Sequence, residues 1–217
     1  MNLLEKQVLE LIGEDPDSPD VFLDTDAGMA PIRDSLNDAI QEIVMITGSN
    51  KRQYYIPLRA NQAFYRIALN YGMFGWITDA KLVGLKYRLD QTGIVKLIKQ
   101  DPGWMKTSSS PRSYFQIGTD VVAIYPKPSG TTDILELNIV EIPNPYTQDT
   151  DRIRLKSDFH YAAVHFAVAE YWASRGDARE ATQHWGMYLD AMGLREAFDQ
   201  EPHAPRSFQT NKEPLTT

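Results

Sequence analysis

The stretch SDFHYAAVHFAVAEYWASRGDAREATQHWGMYLDAMGLREAF, residues 157–198, decides how the rest of the chain is read. It predicts two antiparallel helices joined by a minimal turn. In the first, Phe159, Ala162, Ala163, Phe166 and Ala173 recur at helical spacing, while Tyr161, Val164, Val168, Tyr171 and Trp172 fill most of the remaining circumference. A helix apolar nearly all round has to be covered on more than one side. Gly176 suits the left-handed conformation that ends a helix, and Asp177 suits the N-cap of the next, with Glu180 three residues on as in a capping box. The second helix therefore starts near Ala178. One stripe, Ala178, Ala181, Trp185, Tyr188 and Met192, runs beside another of Met187, Ala191, Leu194 and Phe198, which predicts two packing partners.

Outward from this hairpin, Leu4, Val8, Leu11 and Ile12 predict a short amphipathic helix over residues 3–12, ended by Gly13. Residues 14–31, EDPDSPDVFLDTDAGMAP, carry prolines at 16, 19 and 31 and no period, so they read as an extended surface loop. Asp24, Asp26 and Gly28 faintly suggest a calcium loop. Such a loop needs glycine sixth and glutamate twelfth, where Met29 and Ser35 stand, so calcium is not expected. From Pro31, suited to a first helical turn, Ile32, Leu36, Ala39, Ile40, Ile43 and Ile46 mark a helix over residues 31–47, closed by Gly48.

From Gln53 the character changes to short runs rich in Tyr, Ile and Val broken by Gly and Pro: QYYIPL, AFYRIALNYG, LVGLKYRL, SYFQIG, VVAIYPKP and ILELNIVEIP. These predict strands. Residues 94–100, IVKLIKQ, predict one or two helical turns, and residues 107–113 a polar loop. The runs 121–126 and 134–143, joined through Pro128 and Gly130, predict a β-hairpin and hence an antiparallel sheet. The expected fold is α+β: a helical bundle of the early long helix and the C-terminal pair (158–175 and 178–198), with a small β-sheet inserted over 53–143. Residues 1–198 form one domain, and residues 199–217 an extended tail.

Length and composition set further bounds. A chain of 217 residues can bury a substantial core in one domain. The absence of cysteine excludes disulfides, thiolate metal sites and a cysteine nucleophile. No apolar run approaches the ~20 residues of a membrane span, and the acidic amphipathic N-terminus is unlike a signal peptide, so a soluble, unprocessed protein is expected. Of the 29 acids, 11 fall in residues 1–50 beside only Lys6 and Arg33, a local net charge of −9, which leaves +2 for the remainder. That distribution argues against a nucleic-acid reader with a basic stripe.

The layout resembles the head-to-tail adaptor, or connector, proteins of tailed double-stranded-DNA bacteriophages. The resemblance covers roughly residues 30–198. It rests on the helix IRDSLNDAIQEIVMITG, the proline-ended strand YYIPL, the short strand VVAIYPKP, the return strand LELNIVEIPNPYT and the aromatic-rich helix pair with its Gly-Asp turn. The acidic loop before Pro31 and an inserted stretch, residues 71–104, depart from the usual layout. The resemblance implies a non-enzymatic homo-oligomeric ring, a dodecamer, placed in the virion at the head-to-tail junction after synthesis in the host cytoplasm. Its partners would be the portal above, a tail, nozzle or stopper protein below, and double-stranded DNA passing without sequence recognition. No membrane, metal or cofactor is implied.

Three groups of residues become candidates under that reading. Ala163, Phe166, Trp172, Trp185 and Tyr188 are expected at the subunit interface, since small and aromatic residues on two helix faces suit contact with a neighbour. The acids Asp15, Asp17, Asp20 and Asp24 are expected near the DNA channel. The tail, with Pro205, Arg206, Ser207, Phe208, Gln209 and Thr210, is expected to bind the portal as an extended segment anchored by Phe208. The alternative is a small helical enzyme or regulatory protein. His160 and His165 are five apart and miss the four-residue spacing of a helical metal pair. The hydroxyls of residues 107–110 lack a Gly-x-Ser-x-Gly elbow, and no glycine-rich phosphate loop precedes a lysine. No basic recognition helix supports a DNA-reading regulator.

Overall fold

The computed structural model describes residues 2–15, 26–69, 72–130, 133–148 and 150–194. The helices are α1 (Leu3–Ile12), α2 (Asp26–Thr47), α3 (Ile94–Gln100), α4 (His160–Ser174) and α5 (Ala178–Met192). The strands are β1 (Lys51–Pro57), β2 (Phe64–Arg66), β3 (Gly72–Leu82), β4 (Tyr87–Arg88), β5 (Asp90–Gln91), β6 (Ser108–Ser109), β7 (Ser113–Ile117), β8 (Val121–Tyr125), β9 (Lys127–Pro128) and β10 (Ile134–Pro143).

The hairpin turn forms as its local chemistry dictates. Gly176 takes φ +78°, and the Asp177 carboxylate accepts from the amides of Arg179 and Glu180 at 3.2 and 3.1 Å, so α5 opens at Ala178. It ends at Met192, where Gly193 turns left-handed, short of the expected 198. At the other end of the chain α1 is closed by Gly13 at φ +84° and opened by a capping box between Asn2 and Glu5. The long helix α2 begins at Asp26, so Pro31 lies inside it and not in its first turn.

Residues 162–169 of α4 are buried without a break. The reason is internal: α4 is the central helix, packed against α5, α2 and α1, and the core they share includes Leu4, Val8, Leu9, Leu36, Ile43, Ala163, Phe166 and Tyr188. The two faces read as calling for neighbours are met by the chain's own helices. In α1 Leu9 is buried where Leu11 was expected, and in α2 Val44 replaces Ile46.

The expected helical bundle with a small inserted sheet is overturned by the β-structure, which has two four-stranded sheets and a core of its own. One sheet has the order β1-β10-β3-β4, the other β2-β8-β7-β5, and β6 pairs with β9. Ile56, Phe74, Ile77, Leu82, Leu135, Leu137 and Ile139 from the first sheet meet Tyr65, Tyr114, Val122 and Ile124 from the second in one apolar cluster. The alternation of β8 sends Ala123 the other way, into a smaller cluster with Leu97 of α3, Phe115 and Trp104, whose ring stands edge-on to Phe64 and Phe115 at 5.8 and 5.6 Å. The expected hairpin of 121–126 with 134–143 does not form, because β8 pairs with β2 and β7 while β10 lies between β1 and β3. Pairing is mostly antiparallel, with β5–β7 and β6–β9 parallel.

The longest strand, β3, falls in the stretch read as an insertion. Its inward residues Phe74, Ile77, Ala80 and Leu82 do not alternate, because Gly75 and Thr78 are extra residues at register shifts against β10. The run LVGLKYRL, read as a strand, is instead the end of β3, a turn and the two residues of β4.

Candidate functional site

Polar contacts tie α2 to the segment that follows β10. The Asn37 side chain on α2 donates to the Tyr146 carbonyl at 3.0 Å and accepts from its amide at 2.9 Å, as a neighbouring strand would. Arg33 Nε binds Glu5 Oε1 at 2.8 Å, and its Nη1 donates to the Thr147 carbonyl at 2.9 Å. Glu5 is 0% exposed, and its other oxygen caps the Asn2 amide at 2.9 Å. Within the helical region, the buried Tyr188 donates its hydroxyl proton to Glu42 Oε1 at 2.7 Å, and burial followed by that carboxylate pushes the phenol well above its usual pKa.

The hairpin brings together two histidines that linear spacing does not pair. His165 on α4 and His184 on α5 lie on either side of the Gly176 turn, and their Nδ1 atoms are 2.7 Å apart, with rings stacked at a centroid distance of 5.0 Å. One Nδ1–H must donate to the other, since two protonated nitrogens would repel at that distance. Burial lowers the pKa of both: His184 lowers His165 further, and Glu180 partly opposes the shift at His184. The pair floors an open cleft of about 610 Å³, walled by Gln7, Glu10 and Leu11 of α1 and by His160, Tyr161 and Met187. Among the described residues, no group of three or more His, Asp or Glu converges as a metal site.

A second cleft, of about 750 Å³, is formed by residues 49–53, which leave the end of α2 and start β1, and by residues 152–156 ahead of α4. Among the described residues, Lys51, Arg52, Arg152, Arg154 and Lys156 line it and no acidic side chain does. Arg52 also holds Glu141 of β10 at 2.7 Å. This basic site escapes a linear reading because its two halves are about a hundred residues apart in an otherwise acidic chain.

The expected interface residues divide. Ala163, Phe166 and Tyr188 are 0%, 6% and 1% exposed in the chain's own core, where Phe166 packs against Trp185 and Tyr188. Trp172 and Trp185 are half-buried, and Trp185 lines a shallow groove with Ala169, Ala173 and Ala181 on the back of the hairpin. Of the channel acids Asp15 is exposed, whereas Asp17, Asp20 and Asp24 lie outside the described residues, as do Pro205, Arg206, Ser207, Phe208, Gln209 and Thr210. Large apolar side chains are exposed elsewhere: Ile94, Val95 and Ile98 on α3, Val83 and Leu85 in the β3–β4 turn, and Tyr87 and Met105.

A two-region α+β chain with polar and apolar docking surfaces and a tight helix hairpin has the makings of an assembly component. The family model described as SU10 adaptor protein matches residues 2–209, and the chain belongs to that family. Membership makes it a bacteriophage structural adaptor, located in the virion and in contact with other virion proteins. No curated protein matches it. Among the described residues, no helix is long and apolar enough to cross a membrane.

Proposed function

We infer that the chain is one subunit of a homo-oligomeric ring, a dodecamer, at the head-to-tail junction. The ring sits beneath the portal and above a tail, nozzle or stopper protein, and double-stranded DNA passes through its lumen without sequence readout. The observation that carries this reading is the adaptor family's match over residues 2–209. Exposed apolar surface supports it: Val95 and Leu85 are 65% and 61% exposed, and a lone monomer rarely leaves so many large apolar side chains in water. On the hairpin, the groove of Ala169, Ala173, Ala181 and Trp185 takes the neighbour-facing role expected of Ala163, Phe166 and Tyr188, with Trp172 half-buried on the same helix pair.

The C-terminal tail, Pro205 to Thr210 in particular, binds the portal by adding an extended segment to a sheet edge, with Phe208 in a pocket. Two measurements test the reading. The mass of the purified protein, alone and mixed with a portal ring, should show a ring at least in the mixture, and a mixture that never assembles refutes it. Deleting residues 199–217 should leave the helix content close to that of the full chain while abolishing portal binding, and undiminished binding refutes the tail's role.

A further inference from the structure

Helix α3 turns most of its apolar side chains away from its own chain. Of its residues only Leu97 is buried, while Ile94, Val95 and Ile98 are exposed at spacings that put them on one face, with Lys99 and then Lys96 next around the helix. Scattered exposed apolar residues are ordinary, but three large ones on one short helix make a patch suited to a partner. A matching surface lies on α2. Asp34, Asp38 and Met45 are exposed and lie within about 40° of one line along that helix, over about 16 Å, which accommodates the ~10 Å length of α3. Among the described residues no carboxylate pairs with Lys96 or Lys99, and no cation with Asp34 or Asp38.

Within one chain the two surfaces do not meet. Through Leu97, α3 sits with Phe115 and Ala123 on the outer face of the second sheet. The end of α2 lies over the outer face of the first, where a Cβ added to Gly48 would touch Trp76 and Val140 at 3.3 and 3.5 Å. Both sheets, ~10 Å apart as stacked sheets are, and the apolar cluster between them separate the helices. We propose that α3 packs against the exposed face of α2 in the next copy of the chain, with Ile94, Val95 and Ile98 on Met45 and the two lysines beside Asp34 and Asp38. Complementary surfaces on opposite faces of one body make a head-to-tail contact, which closes into a ring when the rotation allows. The next copy is the ring neighbour of the adaptor reading, on which this contact rests.

The chain has no cysteine, so single introduced cysteines report on the contact without background. Val95→Cys and Met45→Cys, both at exposed positions, are made in separate chains, mixed, assembled alone and on a portal ring, and joined with a short bis-maleimide. The mixture should give at least about tenfold more cross-linked dimer than either variant by itself, because a head-to-tail contact brings unlike positions together. Lys96→Glu with Lys99→Glu in the Val95→Cys chain should cut that yield at least about fivefold with unchanged helix content, since like charges set opposite each other repel. Asp34→Lys with Asp38→Lys in the Met45→Cys chain should then restore it. A yield unmoved by the lysine reversal, or not restored by the swap, overturns the proposal. So does a photoreactive maleimide on Val95→Cys that joins the portal and not α2 of another copy. A chain that never assembles refutes the ring and this contact together, whereas an assembled ring without the cross-link refutes the contact alone.

Discussion

Removing Arg33 should be among the most damaging single changes outside the apolar core. Glu5 is 0% exposed, and its carboxylate is held by one cation, Arg33 at 2.8 Å, and one amide, Asn2 at 2.9 Å. Arg33→Ala strips the cation and also the bond to the Thr147 carbonyl, leaving a buried carboxylate with its cap alone. Breaking a buried pair from one side costs about 3–5 kcal/mol, a large part of the ~5–15 kcal/mol that holds a domain together. For a chain of this size each kcal/mol moves Tm by ~2–4 °C, so the melt should fall by about 6–20 °C. The assay is thermal unfolding followed by helix signal, for Arg33→Ala, Glu5→Gln and the double variant. The double variant should be more stable than Arg33→Ala, because neutralising Glu5 removes the uncompensated charge. A cost under about 1 kcal/mol for Arg33→Ala, or a double variant no better than the single, would refute the reasoning.

Stability should decline as pH falls. His165 and His184 have lowered pKa values in the folded state, so below about 6.5 the unfolded chain binds more protons, at up to ~1.4 kcal/mol per pH unit per histidine. Urea midpoints flat between about pH 7.5 and 5 would contradict the pairing geometry, with His165→Phe/His184→Leu as the variant expected to flatten them. Ala163→Glu puts a charge at a site 0% exposed within one chain, so it should cost several kcal/mol and show as unfolding of the monomer before any assembly step; a melt unchanged within error would count against the central place of α4. In Gly75→Ala the new Cβ would meet the Val140 carbonyl oxygen at 2.9 Å, costing about 1–3 kcal/mol in denaturant, and a change below about 0.5 would show that the bulge can relax.

The elements best read from sequence are those whose signals are local. The Gly176–Asp177 turn, the start of α5 and the end of α1 follow from a backbone angle that glycine tolerates and a carboxylate within reach of two amides. The failure at β3 has an equally definite cause. Two bulges give its inward residues spacings of three, three and two, which erases the alternation that marks a strand. The predicted hairpin of 121–143 failed because a turn-rich link shows that the chain reverses without showing which sheet each strand joins.

Composition and charge, read without coordinates, determined that this chain has no cysteine chemistry and that its first quarter is acidic; residue type and local spacing determined the helix hairpin and the adaptor-like order of elements. Tertiary structure decided what those faces meet. An apolar helix reads the same whether its cover comes from the same chain or from a neighbour, and only packing showed α1, α2 and α5 enclosing α4. The His165–His184 contact and the basic cleft likewise join residues 19 and about a hundred apart. Periodicity reports which side of an element is buried, whereas proximity between distant segments arises only when the whole chain has closed on itself.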